Sequence, residues 1–81
     1  MTSKDYSIAL QCYTKSIELD PKEPATYSNR ALSHIKLKDF QKAIDDSNSA
    51  IKLQPNYIKA YHRRGTAYRS INKFEMAIKD F

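Results

Sequence analysis

The sequence predicts an all-α protein of about five helices, arranged as antiparallel helix-turn-helix repeats. Three observations support this prediction. The 81 residues include one Gly and three Pro, which is little material for the turns of a β protein. Apolar residues recur at the i, i+3, i+4 spacing of a helix, and no segment alternates with the period of two that a strand needs. The chain also matches itself after a shift of 34 residues.

The predicted helices are bounded by prolines and by short polar connections. The periodicity predicts helices over 4–19, 25–37, 40–53, 58–71 and 74–81. The breaks between them fall at Pro21, Pro24 and Pro55, and at the polar pairs Lys38-Asp39 and Asn72-Lys73.

The internal repeat brings residues of similar size onto one another. The matched sets are Tyr6, Phe40 and Phe74; Ala9, Ala43 and Ala77; Leu10, Ile44 and Ile78; Ile17 and Ile51; Pro21 and Pro55; Tyr27 and Tyr61; Arg30 and Arg64; His34 and Tyr68. Most of these residues are apolar or small, as expected of a buried face that recurs in each repeat.

One glycine lies inside a predicted helix. The apolar stripe of 58–71 contains Tyr61, Gly65, Tyr68 and Ile71, which predicts that this face is buried. Because Gly inside a helix costs about 1 kcal/mol relative to Ala, we expect Gly65 to lie at a close contact between two helices. We expect the same of the small residue Ala43.

This repeat resembles the tetratricopeptide repeat (TPR), a pair of antiparallel helices called A and B. The residues that carry the resemblance are Tyr27, Ala31, His34, Phe40, Ala43, Ala50 and Pro55. The resemblance covers the whole chain as one domain, 1–81, with the B helix of a truncated repeat at 1–23, a complete repeat at 24–57 and an incomplete repeat at 58–81. It implies an α-solenoid fragment of a longer protein, in which A helices line a concave groove and B helices cover the back.

Charge is sorted between the two kinds of helix. The net charge is +5, from 14 basic and 9 acidic residues. The A-helix stretches 25–38 and 56–73 contain basic residues, Arg30 among them, and no acid, so the basic excess belongs to the A helices. A groove lined by one sign of charge attracts a ligand of the opposite sign, which predicts an anionic partner.

Two segments, YSNR at 27–30 and KAYHRR at 59–64, are similar to the carboxylate-clamp TPR domains of chaperone adaptors. Such domains grip the acidic C-terminal Glu-Glu-Val-Asp tail of the 70 and 90 kDa heat-shock chaperones. The resemblance implies that three of the five clamp residues are present, as Asn29, Lys59 and Arg63. Lys36 matches a further groove position, and His62 is a neighbour of the clamp. The other two clamp residues, a Lys and an Asn, belong to a first A helix that the sequence lacks. The favoured interpretation of His62 is an exposed residue that does not take part in binding.

The leading prediction is therefore a peptide-binding co-chaperone module, and the alternatives come from other classes. One is a structural TPR segment that binds other proteins, or itself, without a clamp. A nucleic-acid surface is disfavoured because most tyrosines occupy core positions of the repeat. No constellation supports an enzyme, a cofactor or a metal site: Cys12 stands alone, His34 falls on the apolar stripe, and Asp45 and Asp46 are adjacent, so they point to different faces.

The termini and the apolar runs suggest where the protein acts and how it associates. Apolar runs are too short to span a membrane, and the N-terminus has no signal segment, which predicts a cytoplasmic protein. The uncapped apolar residues at the two ends predict self-association by stacking or helix exchange, with a frayed monomer as the alternative. These residues are Tyr6, Ala9, Leu10, Tyr13 and Ile17 at one end, and Phe74, Ala77, Ile78 and Phe81 at the other.

Overall fold

A computed structural model describes the backbone of residues 2–79 and the side chains of residues 2–72. The chain forms four helices, α1 (Ser3–Leu19), α2 (Pro24–Lys36), α3 (Phe40–Leu53) and α4 (Ile58–Lys79). No strand occurs in this described part, so the predicted all-α fold is confirmed. Helix α2 packs against each of the other three, and α3 also packs against α4.

The starts of α1 and α2 are capped by side chains. Thr2 and Asp5 form a capping box, in which the Asp5 amide donates to Thr2 Oγ1 over 3.3 Å and the Thr2 amide donates to Asp5 Oδ2 over 2.9 Å. At α2, the Glu23 side chain accepts from the Ala25 amide over 3.1 Å, and Pro24 occupies the first helical position, where its missing N–H costs nothing.

The turn between α2 and α3 is a Schellman motif at Lys38. The Lys38 amide donates to the Ile35 carbonyl over 3.0 Å, and the Asp39 amide donates to the His34 carbonyl over 2.8 Å. Lys38 takes the left-handed conformation that closes this motif, with φ of 64°. The turn ends α2 within two residues and lets α3 fold back onto it.

The core is built from small residues at the contacts between helices. Ala31, Ala43, Ile44 and Ala67 form one buried cluster, with Ile35, Phe40 and Ile71 packed against it. The predicted close contact at Ala43 is confirmed, because this residue is completely buried.

Residues 2–79 form four helices rather than the five that the sequence predicts. The predicted helices 58–71 and 74–81 are continuous through the expected connection at Asn72-Lys73, because α4 extends to Lys79. Asp39, the N-cap of α3, places a negative charge at that helix start without a side-chain cap hydrogen bond, whereas its repeat equivalent Lys73 is a positively charged residue type, which disfavours a new helix start there.

The buried face of α4 also differs from the prediction. Tyr61 and Tyr68 are 41% and 50% exposed, and Gly65 is exposed as well. Among residues 58–72 of this helix, Ala60 and Ala67 are buried instead. A Cβ on Gly65 would meet nothing within 4 Å, so the expected close contact at Gly65 is wrong for the described part of the chain. The prediction failed because the helix expected to cover this face does not fold back within the described residues.

The 34-residue repeat is visible at the level of single hydrogen bonds. The Tyr27 hydroxyl donates to the Pro21 carbonyl over 3.0 Å, and the Tyr61 hydroxyl donates to the Pro55 carbonyl over 2.7 Å. Each tyrosine thus ties the start of an A helix to the loop before it.

Candidate functional site

The predicted clamp residues lie on the two A-type helices, α2 and α4, which pack against each other. Asn29 is exposed in the second turn of α2. Lys59 is exposed in the first turn of α4, and Arg63 follows one turn later, half-buried. Residues four apart are neighbours on one helix face, so Lys59 and Arg63 are side by side. Arg63 occupies the repeat position of Asn29.

Neither of these two cations is neutralised within the described part of the chain. Lys59 and Arg63 form no ion pair with any described residue. The Nε–H group of Arg63 is buried and has no hydrogen-bond partner there. A buried donor without an acceptor carries a desolvation cost of about 1–3 kcal/mol. The Arg63 guanidinium is therefore partly desolvated, with one of its donors unpaired among the described residues.

The other two candidates are Lys36, which lies on α2, and His62, which lies beside Arg63 on α4. Lys36 is exposed at the last position of α2, about 10 Å along the helix from Asn29. It lies seven residues, or two turns, from Asn29, so the two share a helix face. His62 is exposed next to Arg63.

Arg30, which the charge pattern assigned to the groove, is engaged elsewhere. Its Nε and Nη2 donate to the two carboxylate oxygens of Asp46 on α3, each over 2.7 Å, and its Nη1 donates to Thr14 Oγ1 of α1 over 3.3 Å. The hydrogen bonds to Asp46 raise the pKa of the Arg30 guanidinium, so it stays charged. Counting Arg30 as a groove cation was therefore wrong.

Arg64 repeats this arrangement one repeat later. Its Nη1 donates to Asn48 Oδ1 of α3 over 2.9 Å, and its guanidinium lies 5.2 Å from the Tyr61 ring centroid. Arg30 lies over Tyr27 in the same manner, at 5.9 Å. A sequence signal for this role exists: each arginine follows an aromatic residue by three positions, and a hydrogen-bonding side chain stands sixteen positions earlier.

His34 is largely buried beside the same ion pair. Its Nε2 lies 3.5 Å from Asp46 Oδ2, and its Nδ1 is buried without a hydrogen-bond partner in the described part. Burial lowers the pKa of His34, against the smaller opposing effects of Asp46 and Asp39. The predicted core position is confirmed, but a neighbour contacts only one of its two ring nitrogens.

A cavity of about 400 Å³ lies between α1 and α3, with no α4 residue in its lining. Arg30, His34 and Asp46 contribute to its wall. Asp45 is exposed and Asp46 buried, so these adjacent carboxylates point to different sides, as predicted. Cys12 is exposed. Among residues 2–72 no three His, Cys, Asp or Glu side chains cluster as metal ligands would.

Comparison with models of protein families identifies the family of the chain. One family model described as tetratricopeptide repeat matches residues 24–57, and another matches residues 1–23 and 58–81. The chain belongs to the tetratricopeptide-repeat family. Members of this family are protein-interaction modules.

Solved TPR domains resemble the chain closely. The first TPR of Spaghetti (RPAP3), bound to the HSP90 peptide SRMEEVD, is 44% identical with a TM-score of 0.81, over 93% of this chain and 61% of that one. The TPR2B domain of yeast Sti1, in a complex with an Hsp70 peptide, is 37% identical with a TM-score of 0.82, over 94% of this chain and 61% of that one. The chain thus spans about three-fifths of these domains.

Curated relatives are longer proteins that share a short segment with this chain. The small glutamine-rich TPR-containing protein 2 of Mycosarcoma maydis is 44% identical over 46 residues, which are 57% of this chain and 13% of the relative. The human small glutamine-rich TPR-containing protein beta is also 44% identical over 46 residues, 15% of its length. In the described part of this chain, no helix has both the length and the hydropathy of a transmembrane segment.

Proposed function

We propose that this TPR chain is a co-chaperone module that binds the acidic C-terminal tail of a heat-shock chaperone of the 70 or 90 kDa class. In this proposal Lys59 and Arg63 bind carboxylates, and Asn29 binds the terminal group or the peptide backbone. Lys36 contacts residues further along the tail, and His62 is an exposed neighbour of Arg63 that the binding does not require. The location that follows is the cytoplasm.

The observation that carries the proposal is the state of Arg63. Its guanidinium is half-buried, has a buried Nε–H without a partner among residues 2–72, and lies one turn from the exposed Lys59. Charge-assisted hydrogen bonds are about twice as strong as neutral ones, and partial desolvation strengthens them further. Two adjacent cations that no described residue pairs with, next to the helix that carries the Asn29 amide, favour a carboxylate as the ligand.

The engagement of Arg30 and Arg64 strengthens this assignment. Arg30 is held by Thr14 of the preceding helix α1 and by Asp46 of the following helix α3, and Arg64 is held by Asn48 of the preceding helix α3. Both guanidinium groups are therefore fixed in structural roles, and the charge of Arg30 is compensated by Asp46. Lys59 and Arg63 lie on the same kind of helix and have no such partners among residues 2–72.

The relatives supply independent support. The solved TPR domains of RPAP3 and Sti1 are named as complexes with HSP90 or Hsp70 peptides, and the RPAP3 domain is 44% identical to this chain. Because the chain spans only about three-fifths of those domains, three clamp side chains are available here. We therefore expect weaker tail binding than a complete set would give.

Single substitutions on α4 test the proposal. Lys59→Ala and Arg63→Ala should each weaken binding of a Glu-Glu-Val-Asp peptide by about 1.5–3 kcal/mol, the value of a hydrogen bond to a charged group. Lys52→Ala is the matched control, because it removes one exposed positive charge from α3. Equal affinity of all three variants, measured by calorimetric titration, would contradict the proposal.

A further inference from the structure

One face of α4 is uncovered although its counterpart on α2 is packed. This α4 face consists of Tyr61, Gly65 and Tyr68, all exposed. The equivalent residues on α2 are Tyr27, Ala31 and His34. There, Ala31 packs in the buried cluster with residues of α3, and His34 reaches Asp46.

One face of α1 is also uncovered, although its counterpart on α3 is packed. This α1 face consists of Tyr6, Ala9, Leu10 and Tyr13, which are all partly exposed. Their equivalents on α3 are Phe40, Ala43, Ile44 and Ser47, and the last three of these are buried. Helix α1 packs only against α2 among the described helices and has no buried residue.

We propose that the chain self-associates end to end, with the α1 face of one copy packed on the α4 face of another. The two faces are the 34-residue equivalents of the α3 and α2 faces that already pack within the chain. The contact between copies therefore repeats a contact that the same residue pattern makes inside each copy. It is a heterologous contact, which leaves an α1 face and an α4 face free at the ends of each assembly.

The space at the α4 face accommodates this helix. Ala31 of α2 and Ala43 of α3 are both fully buried and belong to one cluster. Their equivalents in the contact between copies are Gly65 and Ala9, and a Cβ on Gly65 would meet nothing within 4 Å in the single chain. A small residue on each side thus leaves room for two backbones to approach.

One interaction of the internal contact is missing from the contact between copies. The Arg30–Asp46 ion pair inside the chain corresponds to Arg64 of one copy and Cys12 of the next. Cys12 is exposed and offers no carboxylate. The association should therefore be weak in the natural sequence, and a carboxylate at position 12 should strengthen it.

Sedimentation equilibrium of the 81-residue chain across about a hundredfold range of concentration, under reducing conditions, tests this proposal. The mean mass should rise steadily with concentration, without stopping at a dimer. Cys12→Asp should lower the concentration needed for assembly by about tenfold, the order expected for one charge-assisted hydrogen bond. Cys12→Ser, which removes the thiol without adding charge, should leave that concentration unchanged. Adding Arg64→Ala to Cys12→Asp should return the concentration needed for assembly to the wild-type value.

Two variants of the α4 face complete the test. Gly65→Leu fills the space that the α1 face needs, and Tyr68→Asp places a charge in it. Both positions are exposed in the single chain, so each variant should keep its helical circular dichroism and remain a monomer. A constant monomer mass for the wild type and for Cys12→Asp would overturn the proposal. Association that survives both Gly65→Leu and Tyr68→Asp would overturn it as well.

Discussion

Arg30 and Asp46 form a two-pronged ion pair that joins α2 to α3, with both donor–acceptor distances at 2.7 Å. The side chain of Asp46 is 8% exposed and that of Arg30 is 22% exposed. A third donor of Arg30 reaches Thr14, so the arginine also links α2 to α1. Because Asn29 precedes Arg30 on α2, the same contact helps to orient the helix that presents Asn29 to a ligand.

Removing the carboxylate of this pair should destabilise the fold. Asp46→Ala leaves a partly buried guanidinium without its two strongest hydrogen bonds, and a lost hydrogen bond to a charged group costs about 1.5–3 kcal/mol. The free energy of unfolding from urea titration measures this loss. Asp45→Ala is the control, because the adjacent carboxylate is exposed and should change stability by less than about 0.5 kcal/mol. Equal effects of the two substitutions would show that the pair does not stabilise the fold.

Stability should fall in mild acid because of His34. The pKa of His34 is lowered by burial in the folded chain and returns to its ordinary value of 6.5 on unfolding. Well above pH 6.5 both states hold a neutral His34, and its contribution to stability is fully present. As the pH falls through 6.5, the unfolded chain takes up a proton that the folded chain resists, so the free energy of unfolding decreases until the pH passes the folded pKa.

Thermal melts between pH 5 and pH 8 measure this dependence. Arg30 already occupies both oxygens of Asp46, which leaves a protonated His34 only the 3.5 Å contact. His34→Tyr, which places the residue of position 68 at the equivalent place, should flatten the pH dependence relative to wild type. His62→Gln should keep the wild-type dependence, because His62 is exposed. Identical profiles for wild type and His34→Tyr would contradict the assignment.

A larger side chain at the same repeat position should have opposite effects on stability in α2 and in α4. Gly65→Ala should stabilise the chain by about 1 kcal/mol, since Ala is the better helix former and the added Cβ meets open space. Ala31→Leu should destabilise it by about 1–3 kcal/mol, because Ala31 is fully buried and a larger side chain overpacks the core. Melts at low protein concentration separate these effects from association. Destabilisation by Gly65→Ala would mean that a neighbour occupies the α4 face.

Lys38→Gly should stabilise the turn between α2 and α3. Lys38 has a φ of 64°, a conformation that Gly adopts without the Cβ clash of other residues. Because a Schellman turn favours Gly at this position, we expect a gain of about 0.5–1 kcal/mol, or roughly 2–8 °C in Tm for a domain of this size. Lys15→Gly, at an exposed position in the interior of α1, is the contrasting control and should destabilise. A lower Tm for Lys38→Gly would contradict the turn assignment.

Local sequence signals predicted the parts of the fold that local physics decides. The bounds of α1, α2 and α3 agree with the predicted helices to within one residue at each end, because prolines and a left-handed turn mark those ends. The core positions Ala31 and Ala43 were also predictable, since small residues recur there with the 34-residue period.

Contacts between helices decided the features that the sequence pattern missed. The distribution of charge alone could not separate Arg30, whose charge is bound by Asp46 sixteen residues away, from Arg63, which has no such partner in the described part. The exposed state of Tyr61 and Tyr68 likewise depends on whether a further helix covers them. Residues Phe74, Ala77, Ile78 and Phe81, predicted to be an uncovered apolar end, lie outside the side chains that the structure describes.

The most direct test of the proposed function compares two forms of one peptide. A Glu-Glu-Val-Asp peptide with a free C-terminus and the same peptide with a C-terminal amide are titrated into the chain at low ionic strength. If Lys59, Arg63 and Asn29 hold the terminal carboxylate region, the free-acid peptide should bind at least about tenfold more tightly, since losing one charge-assisted hydrogen bond costs about 1.5–3 kcal/mol. Equal affinity of the chain for the two peptides would contradict the proposed function.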